Sequence, residues 1–357
     1  MSDVVVLIGT KRGLFIARSD EQRREWHIGE PCLDGREVYH AITDPRDGSM
    51  WAATTHKVWG AHIHRSTDGG VTWDVLQSAP HHADERGLEA VWFLAAGPAS
   101  APGTMFAGIE PAGLFVTHDS GLTWNAIDAL NNHETRTAWQ PAGGALALGS
   151  VLIDPRDNRR MYCALSAGGV YRTEDAGASW TPINTGTRAE FMPDHYPAFG
   201  QCVHRVVLHP AMPDRLYQQN HCGVYRSDDC GTTWIEITAG LPSEYGYVVV
   251  VDDHDADVAY VVPEESSHMR TVVDGKLRVF RTRDAGTTWE PLSHGLPQER
   301  AYVSLLREGL AADSLDPCGL YLGTSSGHLF ASNDRGESWT MVAGFLPRIV
   351  SVTAAVV

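Results

Sequence analysis

No run of about 20 consecutive apolar residues occurs anywhere in this 357-residue chain, so the sequence offers no membrane-spanning helix. The opening segment MSDVVVLIGTKRGLF has no basic stretch, no long apolar core and no small-residue cleavage site, and so does not read as a secretory signal. Cysteine is sparse. Cys32, Cys163, Cys202, Cys222, Cys230 and Cys318 form no C-x-x-C pair, and their scatter is not a disulfide framework. Extended chain between Cys222 and Cys230 keeps those two apart. Free thiols fit a reducing cytoplasm, which is the expected location. Positive charge is also short: 28 Lys and Arg stand against 44 Asp and Glu, for a net charge of −16. An acidic surface repels phosphate backbones, which argues against a nucleic-acid partner and favours solubility, a cationic ligand or a basic partner.

What is present is a repeat. Ser66-Thr67-Asp68-Gly69-Gly70-Val71-Thr72-Trp73 recurs, with variation, around Asp119, Asp175, Asp229, Asp284 and Asp334, ending at Trp124, Trp180, Trp234, Trp289 and Trp339. A degenerate copy opens the chain as Ser19-Asp20 followed by Trp26. The tryptophans are spaced 47 to 56 residues apart, the period expected for blades of a β-propeller. Each motif sits between strand-like segments, as in Gly223–Arg226 before and Trp234–Ile237 after Asp229. Asp accepts hydrogen bonds from the turn's own N–H groups, Gly supplies positive φ, and Trp buries a large apolar face. The motif therefore reads as a structural hairpin corner.

The pattern resembles the Asp-box, or BNR repeat, of sialidases, sortilin-type receptors, xyloglucan-cleaving glycosidases and a photosystem assembly factor. The whole chain is similar to bacterial proteins described as exo-α-sialidases or BNR-repeat glycosyl hydrolases. That resemblance implies a propeller whose boxes lie away from the binding face, with glycosidase-like hydrolysis as the activity to test. Sialidases use three arginines, the first in an Arg-Ile-Pro segment, on a six-bladed ring. This chain has no Arg-Ile-Pro and seven tryptophan marks, so the sialidase site itself is not expected. The assembly-factor relative implies the alternative of a non-catalytic scaffold for a small protein. The bacterial group implies a ubiquitin-like sulfur carrier as that partner.

The fold expected is all-β: one seven-bladed propeller over residues 1–357, with four strands per blade. Blade three reads as strands A to D at Ser150–Ile153, Arg160–Leu165, Gly169–Arg172 and Trp180–Ile183. Segment 4–29 supplies strands B, C and D without an A, and 349–357 is a lone strand, so pairing the two closes the ring. Strands alternate in direction, which puts the boxes on one face and the B–C loops and strand-A starts on the other. Propeller ligands usually sit in the mouth of that second face.

Glu110, Glu264, His204 and His221 are expected to meet near the axis as acid–base candidates, able to exchange protons near neutral pH. Around them, Lys11, Arg12, Glu37, His40, His56, Glu89, Gln140, Tyr247, Arg300 and Arg348 are candidates for gripping a small polar molecule or glycan. Two carboxylates roughly 5–10 Å apart would suit glycoside hydrolysis. Nothing in the sequence marks a cofactor. The alternative is a divalent ion on His204, His221, Cys202 and Cys222, although their spacing matches no zinc signature.

Overall fold

A computed structural model of the chain describes residues 3–140 and 145–357. Seven four-stranded antiparallel sheets follow one another around an axis. In blade I the strands, from inner A to outer D, are Glu37–Thr43, Met50–His56, Gly60–Ser66 and Asp74–Val75. The A strands of blades II to VI are Ala90–Ala96, Leu148–Ile153, Val203–Leu208, Gly246–Asp252 and Leu310–Ala312. Blade VII is built from both ends of the chain in the order Ile349–Val356, Asp3–Thr10, Gly13–Asp20 and His27–Ile28. Val4 pairs with Val356 and Ile8 with Val352, so the C-terminal strand is the A strand of the sheet whose B strand opens the chain. Among the described residues, no helix is long and apolar enough to cross a membrane.

The six Trp-terminated turns share one hydrogen-bond pattern. In the turn at Asp229, Oδ1 accepts from the Ser227 hydroxyl at 2.8 Å and from the Thr233 N–H at 2.9 Å, while Oδ2 accepts from the Thr233 hydroxyl at 2.7 Å. The equivalent hydroxyl-to-Oδ2 bonds of the other five turns span 2.5 to 2.7 Å. These bonds favour the ionised carboxylate and hold the Asp229 carboxyl below its usual range, against burial, which acts the other way. Glycine was expected to carry the positive φ. In fact two successive residues do: the residue after Asp is also left-handed, at φ 59° for Ala176 and Cys230 and 55° for Ala285.

The core lies between blades. One cluster joins Tyr162 and Val170 of blade III to Val206, Leu216, Tyr225 and Trp234 of the blade IV repeat. The turns take part in this packing. A side chain at Gly286 would begin 2.6 Å from Ile237 of the preceding repeat, so the glycine lets neighbouring blades touch. Strand-C arginines add polar staples: Arg172 donates to the Cys230 carbonyl at 2.8 Å, and Arg281 to the Arg335 carbonyl at 2.8 Å, each one blade on. All six cysteines are unpaired.

Candidate functional site

The A strands do not run regularly into the mouth. Their pairing with B skips Tyr39 in blade I, Trp92 in blade II, Gly149 in blade III, His204 in blade IV and Val350 in blade VII. In blade V it skips Tyr247 and Val248 together. A β-bulge inserts an unpaired residue and re-aims its side chain. Tyr39, Trp92, Gly149, Tyr247 and Val350 all line one cavity of about 290 Å3, completed by Lys11, Arg270, Arg307 and Arg348 from the intervening loops. That is the size of a small-molecule site at the lower end of the usual range, roughly 300–1,000 Å3.

Charge in this cavity is lopsided. Its carboxylates are Glu37 and Glu308. Glu37 is ion-paired with Lys11, and Glu308, buried, with Arg205. Arg270, Arg307 and Arg348, from the loops of successive blades V, VI and VII, have no carboxylate within salt-bridge distance among the described residues. Arg307 lies over the Trp92 ring at 5.2 Å, and Arg270 over Tyr247 at 6.0 Å. The Arg270 Nε also donates to the Ser267 carbonyl at 3.1 Å.

Two groups of titratable residues flank the cavity. On the side of blades I and II, Glu110 accepts from the Trp92 indole N–H at 2.8 Å. Burial pushes its carboxyl up and Glu89 adds to that, while the Trp92 bond and Arg307 pull it down. The Tyr39 hydroxyl is pushed up to about 12 by burial and by Glu37, Glu110 and Glu89. On the side of blades IV and V, His204 stacks on Tyr247 at 4.6 Å and meets His221 edge-on at 5.7 Å. Burial first, then Arg307, holds His204 well below its ordinary pKa. Burial and Arg270 lower His221. Tyr245 closes this group, its hydroxyl donating to that of Tyr247 at 2.6 Å.

Glu264 is fully buried and does not line the cavity. Its Oε1 accepts from the Leu305 N–H at 2.7 Å and the Ser304 hydroxyl at 2.9 Å, while Oε2 is buried without a partner. Burial raises its carboxyl to about 7. Arg307 perturbs Glu110 on one side and His204 on the other, and Arg270 perturbs His204, His221 and Glu264.

The remaining residues named from sequence fall in different places. Lys11, Glu37, Tyr247 and Arg348 line the cavity. Glu89 is exposed beside Glu110, and Arg12 is exposed next to Lys11. His40 faces the interior instead: 2% exposed, it stacks on Phe93 at 4.4 Å and its Nδ1 accepts from the Leu94 N–H at 3.2 Å, joining blades I and II. Burial lowers it to about 3, as for a neutral core imidazole. His56 caps its own hairpin by accepting from the Val58 N–H at 3.1 Å. Gln140 is exposed, its amide donating back to the Thr137 carbonyl at 3.4 Å. Arg300 lines a separate cleft with Glu299, His328 and Met341. The sequence reading missed Trp92, Gly149 and Val350, which sit on the bulges, Arg307 and Glu308, which lie just before the A strand of blade VI, and Arg270, which lies in the loop between Asp255–Pro263 and Val279–Thr282 of blade V.

The fold and its mouth define a seven-bladed propeller with a small, arginine-rich axial cavity. No protein-family model matches the chain. It is 27% identical over 225 residues to an oligoxyloglucan-reducing end-specific xyloglucanase of Emericella nidulans, an alignment covering 56% of this chain and 26% of that protein. The chain spans about a quarter of the length of the curated relatives it matches. Among solved structures, a GH74 enzyme of Niastella koreensis superposes over 98% of this chain and 51% of its own, with a TM-score of 0.66 at 20% identity. YCF48 bound to D1 peptide superposes over 92% and 86%, with a TM-score of 0.52 at 14% identity. At such identities the structural likeness shows the fold.

Proposed function

We propose that the axial mouth binds a small anionic saccharide, a sugar acid being the simplest member of that class. The observation that carries this reading is the set Arg270, Arg307 and Arg348: three guanidiniums with no carboxylate partner among the described residues, in one cavity of a chain with net charge −16. Guanidinium presents a planar fork of donors that matches a carboxylate, sulfate or phosphate group. Tyr39 and Trp92 add aromatic surface for the apolar face of a sugar ring. The distant similarity to xyloglucanases supports a saccharide as the rest of the ligand.

Hydrolysis is the second reading, and Glu110 favours it: a partly buried carboxyl with a raised pKa is what a general acid needs. Against it, the two cavity carboxylates, Glu37 and Glu308, are both engaged in ion pairs. Binding is therefore the stronger statement.

Calorimetry with glucuronate and galacturonate, against glucose and xylose at equal concentration, tests it. Expected are binding of the acids that weakens with added salt, and a loss of roughly tenfold or more in Arg307→Gln, in line with a charge-assisted bond. Neutral sugars binding equally well, or acids binding Arg307→Gln as tightly as the parent, would refute an anion site.

A further inference from the structure

We infer that Cys202, His204 and His221 form a binding site for a soft divalent cation of the zinc class, set in the mouth wall beside the proposed ligand cavity. The three donor atoms lie within 4.8 Å of one another. Cys202 Sγ and His204 Nε2 are 3.6 Å apart. A tetrahedral zinc ion, with Zn–S about 2.3 Å and Zn–N about 2.05 Å, holds its sulfur and nitrogen ligands about 3.6 Å apart. That edge of the coordination polyhedron is already formed. The other two edges, both to His221, are at most 4.8 Å. A movement of that half-buried ring by roughly 1 Å closes the triangle to tetrahedral ligand distances.

The tautomer is fixed as a ligand requires. His204 Nδ1 lies 2.6 Å from the Gly246 carbonyl oxygen, which can only accept, so Nδ1 carries the proton and Nε2 presents its lone pair to Cys202. A metal-bound histidine is typically oriented in this way by an outer acceptor. The His221 ring makes no hydrogen bond among the described residues, and its backbone N–H is tied to the Cys202 carbonyl at 2.9 Å, which locks the two loops together. His204 is the unpaired residue of the blade IV bulge. Cys222 is not part of the cluster.

Three protein ligands leave one tetrahedral position open, the arrangement of a site that exchanges water for an external ligand. Burial, the largest influence on the Cys202 thiol, raises its pKa, and Arg307 and Arg270 pull against that. The two guanidiniums oppose a bare cation, and a thiolate ligand, deprotonated as metal binding requires, offsets the charge of the ion. The competing account of the 3.6 Å contact is a thiol donating to an imidazole with no metal involved.

The experiment is titration of chelator-stripped full-length protein with Co2+, then displacement by Zn2+, followed by absorption and elemental analysis. Sugar ligands are left out, so failure here does not bear on the anion site. Expected are one equivalent of Co2+, a thiolate-to-cobalt charge-transfer band that Cys202→Ser abolishes, and affinity about tenfold or more weaker in His221→Ala. Cys222→Ser keeps the band. Because Cys202 is buried, each variant's melting curve accompanies the titration, and His221→Ala serves as the independent test if Cys202→Ser unfolds. No cobalt bound above background, or an unchanged band in Cys202→Ser or unchanged affinity in His221→Ala, overturns the site and leaves a thiol–imidazole hydrogen bond.

Discussion

Glu264→Gln isolates the effect of one buried carboxyl on the stability of the ring. The side chain is fully buried, and its Oε1 accepts from Leu305 N–H and the Ser304 hydroxyl. A glutamine carbonyl can accept both bonds in the same place. What changes is the charge. The folded-state pKa is raised from 4.5 to about 7 by burial, so the fold prefers the protonated acid. The stability tied to this group is therefore fully present below about pH 4.5, falls as pH rises, and is lost once pH passes about 7. At 1.36 kcal/mol per pKa unit the loss is about 3 kcal/mol by pH 8. Glutamine is neutral throughout and escapes it. Its amide also meets an unpartnered position, but that penalty is the same at every pH, so the comparison is the difference between variant and parent at pH 5 and again at pH 8. At an unfolding entropy of about 2.1 cal/mol/K per residue, ~3 kcal/mol shifts the melting temperature of a chain this long by about 4 °C. Glu264→Gln is expected to gain roughly 3–4 °C on the parent between pH 5 and pH 8 in paired thermal scans. Other titrating groups cancel because both proteins carry them. A parent–variant difference that stays constant with pH would show that Glu264 does not titrate there and that its unpartnered Oε2 is satisfied.

Three further outcomes follow from the fold. Asp229→Ala removes three bonds from an exposed turn and should lower unfolding free energy by about 1 kcal/mol in urea titration, with mouth ligand affinity unchanged; unchanged stability with lost affinity would place the turns on the functional face. Gly286→Ala should destabilise by roughly 2 kcal/mol or more, since a side chain there begins 2.6 Å from Ile237 on a backbone at φ 90°; a neutral effect in the same titration would mean the blades separate freely. Deleting 349–357 strips blade VII of its A strand and exposes the edge of Asp3–Thr10, so it should lower the melting temperature of the whole domain; an unshifted melt would show that the ring does not depend on closure by both ends.

The architecture was legible because its signals are local and repeated. One Asp, one Gly and one Trp at fixed spacing mark each turn, and a turn repeated at propeller period leaves few alternatives. Closure was legible from strand counting: three strands without a first at one end and a lone strand at the other. The mouth was legible only as a face. Lys11, Glu37, Tyr247 and Arg348 were placed on it by topology and do line the cavity. His40 shared the same topology yet turned inward against Phe93. Position along a strand gives the end of the blade at which a residue sits. It does not give the side of the sheet to which the side chain points.

The missing information is the bulge, and it has a sequence correlate. A regular strand that buries one face repeats its apolar residues every second position, and a one-residue bulge resets that period. Five A strands carry, among their buried apolar residues, a pair three apart: Val38 and Ala41, Val91 and Leu94, Leu148 and Val151, Val203 and Val206, Ile349 and Val352. In every one of these pairs the residue just after the first is the unpaired one, namely Tyr39, Trp92, Gly149, His204 and Val350. A single instance of such spacing is indistinguishable from noise. Five instances at propeller period form a register pattern, in which Trp92 and Tyr39, and not His40, take the unpaired position. The arginines remain beyond this pattern. Arg307 and Arg348 lie in loops ahead of A strands and Arg270 in the loop between the second and third strands of blade V, where no periodicity acts, and only the closed ring brings them into one cavity. The scaffold of the mouth is thus written in strand register, while its charge is written in loops whose convergence depends on the whole ring.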